Sequence, residues 1–210
     1  LKGEDFLIER LDARLSLRRQ DSGELELFIH PIYKQPRLHP LLNQQESEEL
    51  ISGKRNLIGK SVDQGEGRST MLNIEYDPLT RDFVGYDVSK VQAPDRVNGM
   101  LLSQEEKSAF QRGDLLELED GTRLMHRASE PKGMLSDRKA LVLSVLLDGG
   151  ISYMLLRGIN ALGKNVEQRS HRTPAFNEAI LEMEGARKSL SRAVELQGPH
   201  LEHASRKMSR

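Results

Sequence analysis

Alternating apolar and polar positions open the chain. Arg14 to Arg19 reads RLSLRR and Glu24 to Ile29 reads ELELFI, joined by Gln-Asp-Ser-Gly. The alternation puts Leu15, Leu17, Leu25, Leu27 and Ile29 on one face, which predicts a β-hairpin. MLNIEY (Met71 to Tyr76) and DFVGYDV (Asp82 to Val88) flank Asp-Pro-Leu-Thr-Arg and predict a second hairpin with a Pro-led turn. DLLELEDGTRLM (Asp114 to Met125) predicts a third, turning at Asp120-Gly121. The stretches Pro31 to Pro40 and Pro94 to Gly99 are expected as Pro-rich links, and Gly59 to Ser69 as a loop.

Two short stretches match at an offset of sixty. Leu41 to Lys54 (LLNQQESEELISGK) and Leu101 to Asp114 (LLSQEEKSAFQRGD) are identical at five of fourteen positions. Asn43 and Ser103 are N-cap residue types, because a short side-chain oxygen can accept an orphan backbone N–H. Glu46 and Glu106 stand three residues on, at the reciprocal place of a capping box. Gly53 and Gly113 follow at the spacing of a C′ residue. Each copy is therefore expected as a helix of about ten residues within a strand–strand–helix unit. Matching starts, stops and offset favour duplication over two chance helices.

The second half is expected to be helical. Ser136 can cap a helix running to Leu147, Asp148-Gly149-Gly150 breaks it, and Ile151, Leu155, Ile159 and Leu162 recur at helical spacing. Gly163 to Pro174 is a polar linker, too polar to pack firmly. Beyond it, Phe176, Met183 and Leu190 fall at one heptad position, and Ile180, Val194, Leu201 and Met208 at another. Arg187, Gln197 and Pro199 weaken that seam, so residues 175–197 are expected as an amphipathic helix in search of a partner surface. The fold class is α+β: a duplicated module over 1–126, a helical hairpin over 127–165, then a linker and amphipathic tail helix over 166–210.

Composition narrows the chemistry. The 210 residues carry 31 Lys+Arg against 32 Asp+Glu, which excludes a globally basic nucleic-acid binder. From Lys164 onward nine Lys/Arg face six Asp/Glu, so only this end leans basic. There is no cysteine, which excludes disulfides, thiolate metal sites and a cysteine nucleophile, and fits a cytoplasmic protein. Asp148 and Arg157 interrupt the most apolar stretch, Ala140 to Leu162, so no charge-free run in it exceeds eight residues, against the about 20 a spanning helix needs. Leu1 is not Met, so a piece of a longer protein is expected.

Three suggestive motifs fail on spacing or context. Gly53-Lys-Arg-Asn-Leu-Ile-Gly59-Lys60-Ser61 has five residues between its glycines where a phosphate loop has four, and it follows a helix. His200 and His203 sit one helical turn apart with no third ligand nearby. Gly149-Gly150-Ile151-Ser152-Tyr153 is similar to the tyrosine region of type IA topoisomerases, but Met-Leu-Leu-Arg follows where that motif continues Arg-Thr-Asp. Tyr153 is read as a packing residue on a helix. No catalytic residue, cofactor site or metal ligand is assigned.

Five stretches carry a resemblance: His30-Pro31-Ile32, the Leu-Leu-x-Gln-x-Glu starts at Leu41 and Leu101, Ala93 to Gly99, and Leu146 to Tyr153. On these, residues 6 to 165 resemble the uncharacterised tandem modules of Bacteroidetes conjugative and mobilisable-element proteins. Such modules also occur attached to mobile-element type IA topoisomerases. The resemblance implies a setting in DNA transfer or processing and transfers no catalytic residue. Two functions are carried forward. One is a non-enzymatic interaction module that docks a protein partner, or other domains of its parent chain, through Phe176, Ile180, Met183, Leu190 and Val194. The other is nucleic-acid binding through Lys164, Arg169, Arg172, Lys188 and Arg192, where phosphate contacts would make affinity salt-dependent.

Overall fold

A computed structural model describes residues 10–19, 23–65, 67–147 and 150–197 of the chain. The architecture is α+β, with small antiparallel sheets and, among the described residues, three α-helices, the last toward the C-terminus. Strands β1 (Ala13–Arg19) and β2 (Leu25–Pro31) form the first expected hairpin, with Leu15 opposite Ile29 and Leu17 opposite Leu27. Helix α1 (Gln44–Ser52) follows. Strands β3 (Ile58–Asp63), β4 (Ser69–Asp77) and β5 (Asp82–Asp87) make a three-stranded sheet with β4 central. After a single 3-10 turn (Val88–Lys90) come β6 (Arg96–Val97), β7 (Met100–Leu101) and helix α2 (Gln104–Arg112). Strands β8 (Leu116–Glu117), β9 (Arg123–His126) and β10 (Met134–Ser136) form another three-stranded sheet. Strands β11 (Ala140–Leu147) and β12 (Gly150–Arg157) join β6 and β7 in the order β12-β11-β6-β7, and helix α3 (Pro174–Gln197) closes the described chain.

The chain divides into two compact units. The first takes the described residues through Gln92, with Gln111–Asp114 and His126–Met134. The second takes Ala93–Phe110, Leu115–Met125 and the described residues from Leu135 onward. In the first, Leu50 of α1 is buried against Ile58 and Ile74, with Leu42, Tyr76 and Phe83 around them. In the second, Ala140 and Val142 of β11 are buried against Phe176 and Ala179 of α3, flanked by Tyr153, Leu155 and Ile180.

Both short helices carry the expected caps. The Glu46 N–H donates to Asn43 Oδ1 at 2.9 Å, and the Asn43 N–H donates to Glu46 Oε2 at 2.9 Å. In α2 the Glu106 N–H reaches Ser103 Oγ at 3.1 Å and the Ser103 N–H reaches Glu106 Oε2 at 2.7 Å. Gly53 and Gly113 follow at φ 75° and 77°, a conformation glycine adopts without a Cβ penalty. At Gly113 a Cβ would also lie 2.8 Å from Leu57 Cδ2. The likeness is confined to the two capped helices: β1–β2 upstream of α1 is a two-stranded ribbon, β4–β5 upstream of α2 belongs to a three-stranded sheet, and the β6–β7 ribbon immediately before α2 has no counterpart before α1. Ser103→Ala is expected to destabilise the chain by about 1 kcal/mol, read from the urea midpoint.

The structure corrects four expectations. The helical pair across 127–165 is absent: Ala140–Leu147 and Gly150–Arg157 are paired strands, and Ser136 lies in β10 instead of capping a helix. Ile151, Leu155 and Ile159 recur at helical spacing, but two eight-residue apolar runs on either side of Asp-Gly also fit a hairpin, and pairing decides between them. The loop expected at Gly59 to Ser69 holds β3 through Asp63. Lys60 occupies an inward-leaning strand position there because its ammonium bonds Glu46 Oε1 at 2.6 Å. Within Pro94 to Gly99, Asn98 and Gly99 at φ 51° and 80° turn β6 into β7. Finally, Gly163 to Pro174 is held firmly: Gln168 donates to the Ile159 carbonyl at 2.7 Å, and Arg138 donates to that of Ser170 at 2.7 Å.

Candidate functional site

The pleat of the β1–β2 hairpin separates two chemistries. Leu15, Leu17, Leu25, Leu27 and Ile29 share one face as expected, and that face is open to solvent. Their exposures are 61%, 67%, 67%, 54% and 51%. A hairpin normally turns its apolar face to the core, so five neighbouring aliphatics left in water form a patch that calls for a covering surface. The other face carries Arg14, Ser16, Phe28 and His30. Arg14 Nη1 approaches Asp77 Oδ2 at 3.4 Å, and the backbone joins in through Ile32 N–H to Asp12 O at 2.8 Å and Tyr33 N–H to Thr80 O at 2.9 Å.

Arg14, Ser16 and His30 border a cleft of about 590 Å³ with Asp77, Thr80 and Phe83. Ser16 Oγ lies 2.8 Å from His30 Nε2, the separation of a hydroxyl and its base. The rest of a hydrolytic arrangement does not assemble. Both side chains are exposed, and among the described residues no carboxylate bonds the His30 ring. Asp77 is occupied by the Leu79 N–H and the Thr80 hydroxyl, each at 2.9 Å. The Ser16–His30 bond ties the two strands together.

Helix α3 separates the residues expected to act as one stripe. Thr173 Oγ1 caps its start, accepting from the Phe176 N–H at 3.1 Å. Phe176 is buried in the core and Ile180 packs against it, so the first turns are docked instead of loosely tethered. Met183 and Leu190 instead line an open groove of about 900 Å³ with Ile151, Tyr153 and Arg157. Val194 belongs to α3, but its side chain lies outside the described residues.

The basic candidates also divide. Arg169 is bonded to the buried Asp137 carboxylate, and Arg172 lines a cleft with Phe176 and Asn177. Lys164 is exposed in the linker. Lys188 and Arg192 share a shallow depression on α3 with Arg187 and Glu184.

The remaining motifs resolve simply. Gly53 is a helix cap, Gly59 lies in strand β3, and Lys60 bonds Glu46. His200 and His203 lie outside the described residues; among those described, no group of three His, Asp or Glu is placed to hold a metal ion. Tyr153 stands on strand β12, not on a helix. Burial and the Glu182 carboxylate, 3.4 Å from its hydroxyl, push the phenol above its ordinary value, the opposite of what activates a nucleophile.

Residues 4–41 match a family described as Protein of unknown function (DUF4099). The match spans both strands of the hairpin. No curated protein and no solved structure matches the chain. Among the described residues no helix is long and apolar enough to cross a membrane.

Proposed function

We propose that this chain is a non-enzymatic interaction module. The observation that carries the reading is the outward leucine face of the β1–β2 hairpin, which lies wholly within the stretch matched to a family. Full burial of one such side chain contributes roughly 1.5–3 kcal/mol, so a patch of five half-exposed aliphatics supplies enough surface to hold a protein partner. The resemblance of residues 6 to 165 to mobile-element modules supports a cytoplasmic setting in conjugation or DNA processing, with the partner another protein of that apparatus or a further domain of the same polypeptide. The groove beside Met183 and Leu190 offers a second contact area.

A second reading, nucleic-acid binding, draws on Arg187, Lys188 and Arg192 sharing one face of α3. One experiment separates the two. The Leu17→Asp/Leu27→Asp variant is compared with Lys188→Ala/Arg192→Ala in pulldowns against proteins encoded beside the parent gene, and in DNA binding at two salt concentrations, with circular dichroism as the folding control. The hairpin variant is expected to lose protein association while keeping its spectrum and any DNA affinity. Retained association, with DNA binding whose salt slope falls by about 1 for each cation removed, would favour the second reading.

A further inference from the structure

Strand β12 forms the outer edge of the second unit's four-stranded sheet. The Asp95 N–H reaches Ser144 O at 3.0 Å and the Asn98 N–H reaches Val142 O at 2.7 Å, so even-numbered residues of β11 turn their backbone groups toward β6. Odd-numbered residues of β11 therefore face β12. Through the register Leu143 to Met154 and Val145 to Ser152, they occupy the backbone groups of the even-numbered residues there. Ile151, Tyr153, Leu155 and Arg157 are left with their N–H and C=O aimed away from the sheet, and no described residue bonds to them.

Natural sheets blunt such an edge with proline, lysine, a bulge or a covering segment. β12 reads GISYMLLR: it holds no proline, no lysine, and one charge at its end. The groove against α3 runs beside it, with Met183 and Leu190 on its far wall.

We infer that this edge pairs antiparallel with the same edge of a second copy of the chain. The backbone parity allows a two-fold axis through Met154. In that register all four outward residues pair, Tyr153 opposite Leu155 of the second copy and Ile151 opposite its Arg157. Directly opposite residues lie close enough for the Tyr153 ring to cover the Leu155 side chain of the second copy. Charge supports the same register: the groove that Ile151 lines carries Glu184 of α3 along with Arg187, and Glu184 offers Arg157 of the second copy a carboxylate. On the opposite face Met154, 53% exposed, meets its symmetry mate and is covered.

The chain contains no cysteine, which makes Met154→Cys a clean probe. Across the axis the two Cα atoms would be about 4.5 Å apart, within the range a disulfide spans. Full-length Met154→Cys at micromolar concentration under mild oxidation should double in mass on a non-reducing gel. Met71→Cys, at another exposed methionine, should stay monomeric. Ile151→Pro removes an outward N–H while leaving the β11 ladder intact, and should sediment as a monomer at concentrations where the unaltered chain is a dimer. Met154→Lys tests the same edge without a backbone change and should raise the dimer dissociation constant about tenfold. Leu17→Asp/Leu27→Asp should leave the dimer untouched. An unaltered chain that stays monomeric, or a Met154→Cys that crosslinks no faster than Met71→Cys, overturns the inference. So does a dimer that survives both Ile151→Pro and Met154→Lys.

Discussion

Replacing Asp137 with Ala is expected to destabilise the second unit by about 3–5 kcal/mol, the range for removing one partner of a buried ion pair. Asp137 is fully buried. Its Oδ1 accepts the Arg123 N–H at 2.8 Å and its Oδ2 holds the Arg169 guanidinium. Its own backbone continues the web, with the N–H on Arg123 O at 3.0 Å and the carbonyl taking the Arg169 N–H at 2.8 Å. Arg138, itself buried, has Nε 4.0 Å from the same carboxylate. Without that carboxylate the Arg123 N–H has no acceptor and Arg138 is a buried cation with no counter-charge. Urea unfolding followed by circular dichroism measures the loss. Arg169→Ala should lose less, because Asp137 then keeps the Arg123 N–H and the Arg123 and Arg138 guanidinia beside it, and the Arg169 side chain is half in water. A loss for Asp137→Ala no larger than that for Arg169→Ala would contradict this account.

What the sequence showed, and what it concealed, follows the range of the interactions involved. The caps of α1 and α2 are local: Asn43 with Glu46, and Ser103 with Glu106, satisfy one another within four residues. The β1–β2 and β8–β9 hairpins are local too, their turns written in Gly23 and Gly121. The β11–β12 hairpin is hidden because Ile151, Leu155 and Ile159 recur at helical spacing, while the apolar run Ala140 to Leu147 has no clear period of its own. Pairing with β6, more than forty residues upstream, is what makes β11 an interior strand. Lys60 concealed β3 because its partner Glu46 sits on a helix.

The site was half legible in the same sense. The sharing of one hairpin face by Leu15, Leu17, Leu25, Leu27 and Ile29 follows from alternation alone. The contacts that hold the hairpin, Arg14 with Asp77 sixty-three residues on and Tyr33 with Thr80, are long-range, and alternation carries no trace of them. On α3, Phe176 and Ile180 pack on β11 and β12, strands that the sequence presents with helical spacing, so two of the five stripe residues belong to the core or its edge.

In the first unit, Glu75→Gln is expected to lose about 1.5–3 kcal/mol, the range for hydrogen bonds to a charged group, and also to change the pH dependence of stability. Glu75 is fully buried on β4. It accepts the Tyr86 hydroxyl at 2.9 Å, the Ser129 N–H at 3.0 Å and the Ser129 hydroxyl at 2.8 Å. Burial, followed by the Glu75 charge, pushes the Tyr86 phenol well above its ordinary value, so it remains a donor. Glu75 is also the leading counter-charge acting on Arg127, whose guanidinium is buried and bonded to the Gly113 carbonyl at 2.8 Å. His126 is held below its ordinary 6.5, first by burial and then by Arg127, with Glu75 pulling the other way. Below pH 6.5 the imidazole of the unfolded chain binds a proton that the folded unit resists. Stability therefore falls as the pH drops toward the folded value, by at most about 1.4 kcal/mol per pH unit for this group. His39, lowered mainly by burial, adds to the loss with the same sign. Neutralising Glu75 removes the pull that offsets burial, so His126 should titrate lower still and the acid loss should extend further down. Urea midpoints from pH 8 to pH 5 measure both effects, with His126→Gln as the control that removes this group's share. A Glu75→Gln variant with unchanged stability at pH 8, or with a shallower acid slope than the unaltered chain, would show that the buried glutamate does not organise the polar core of the first unit.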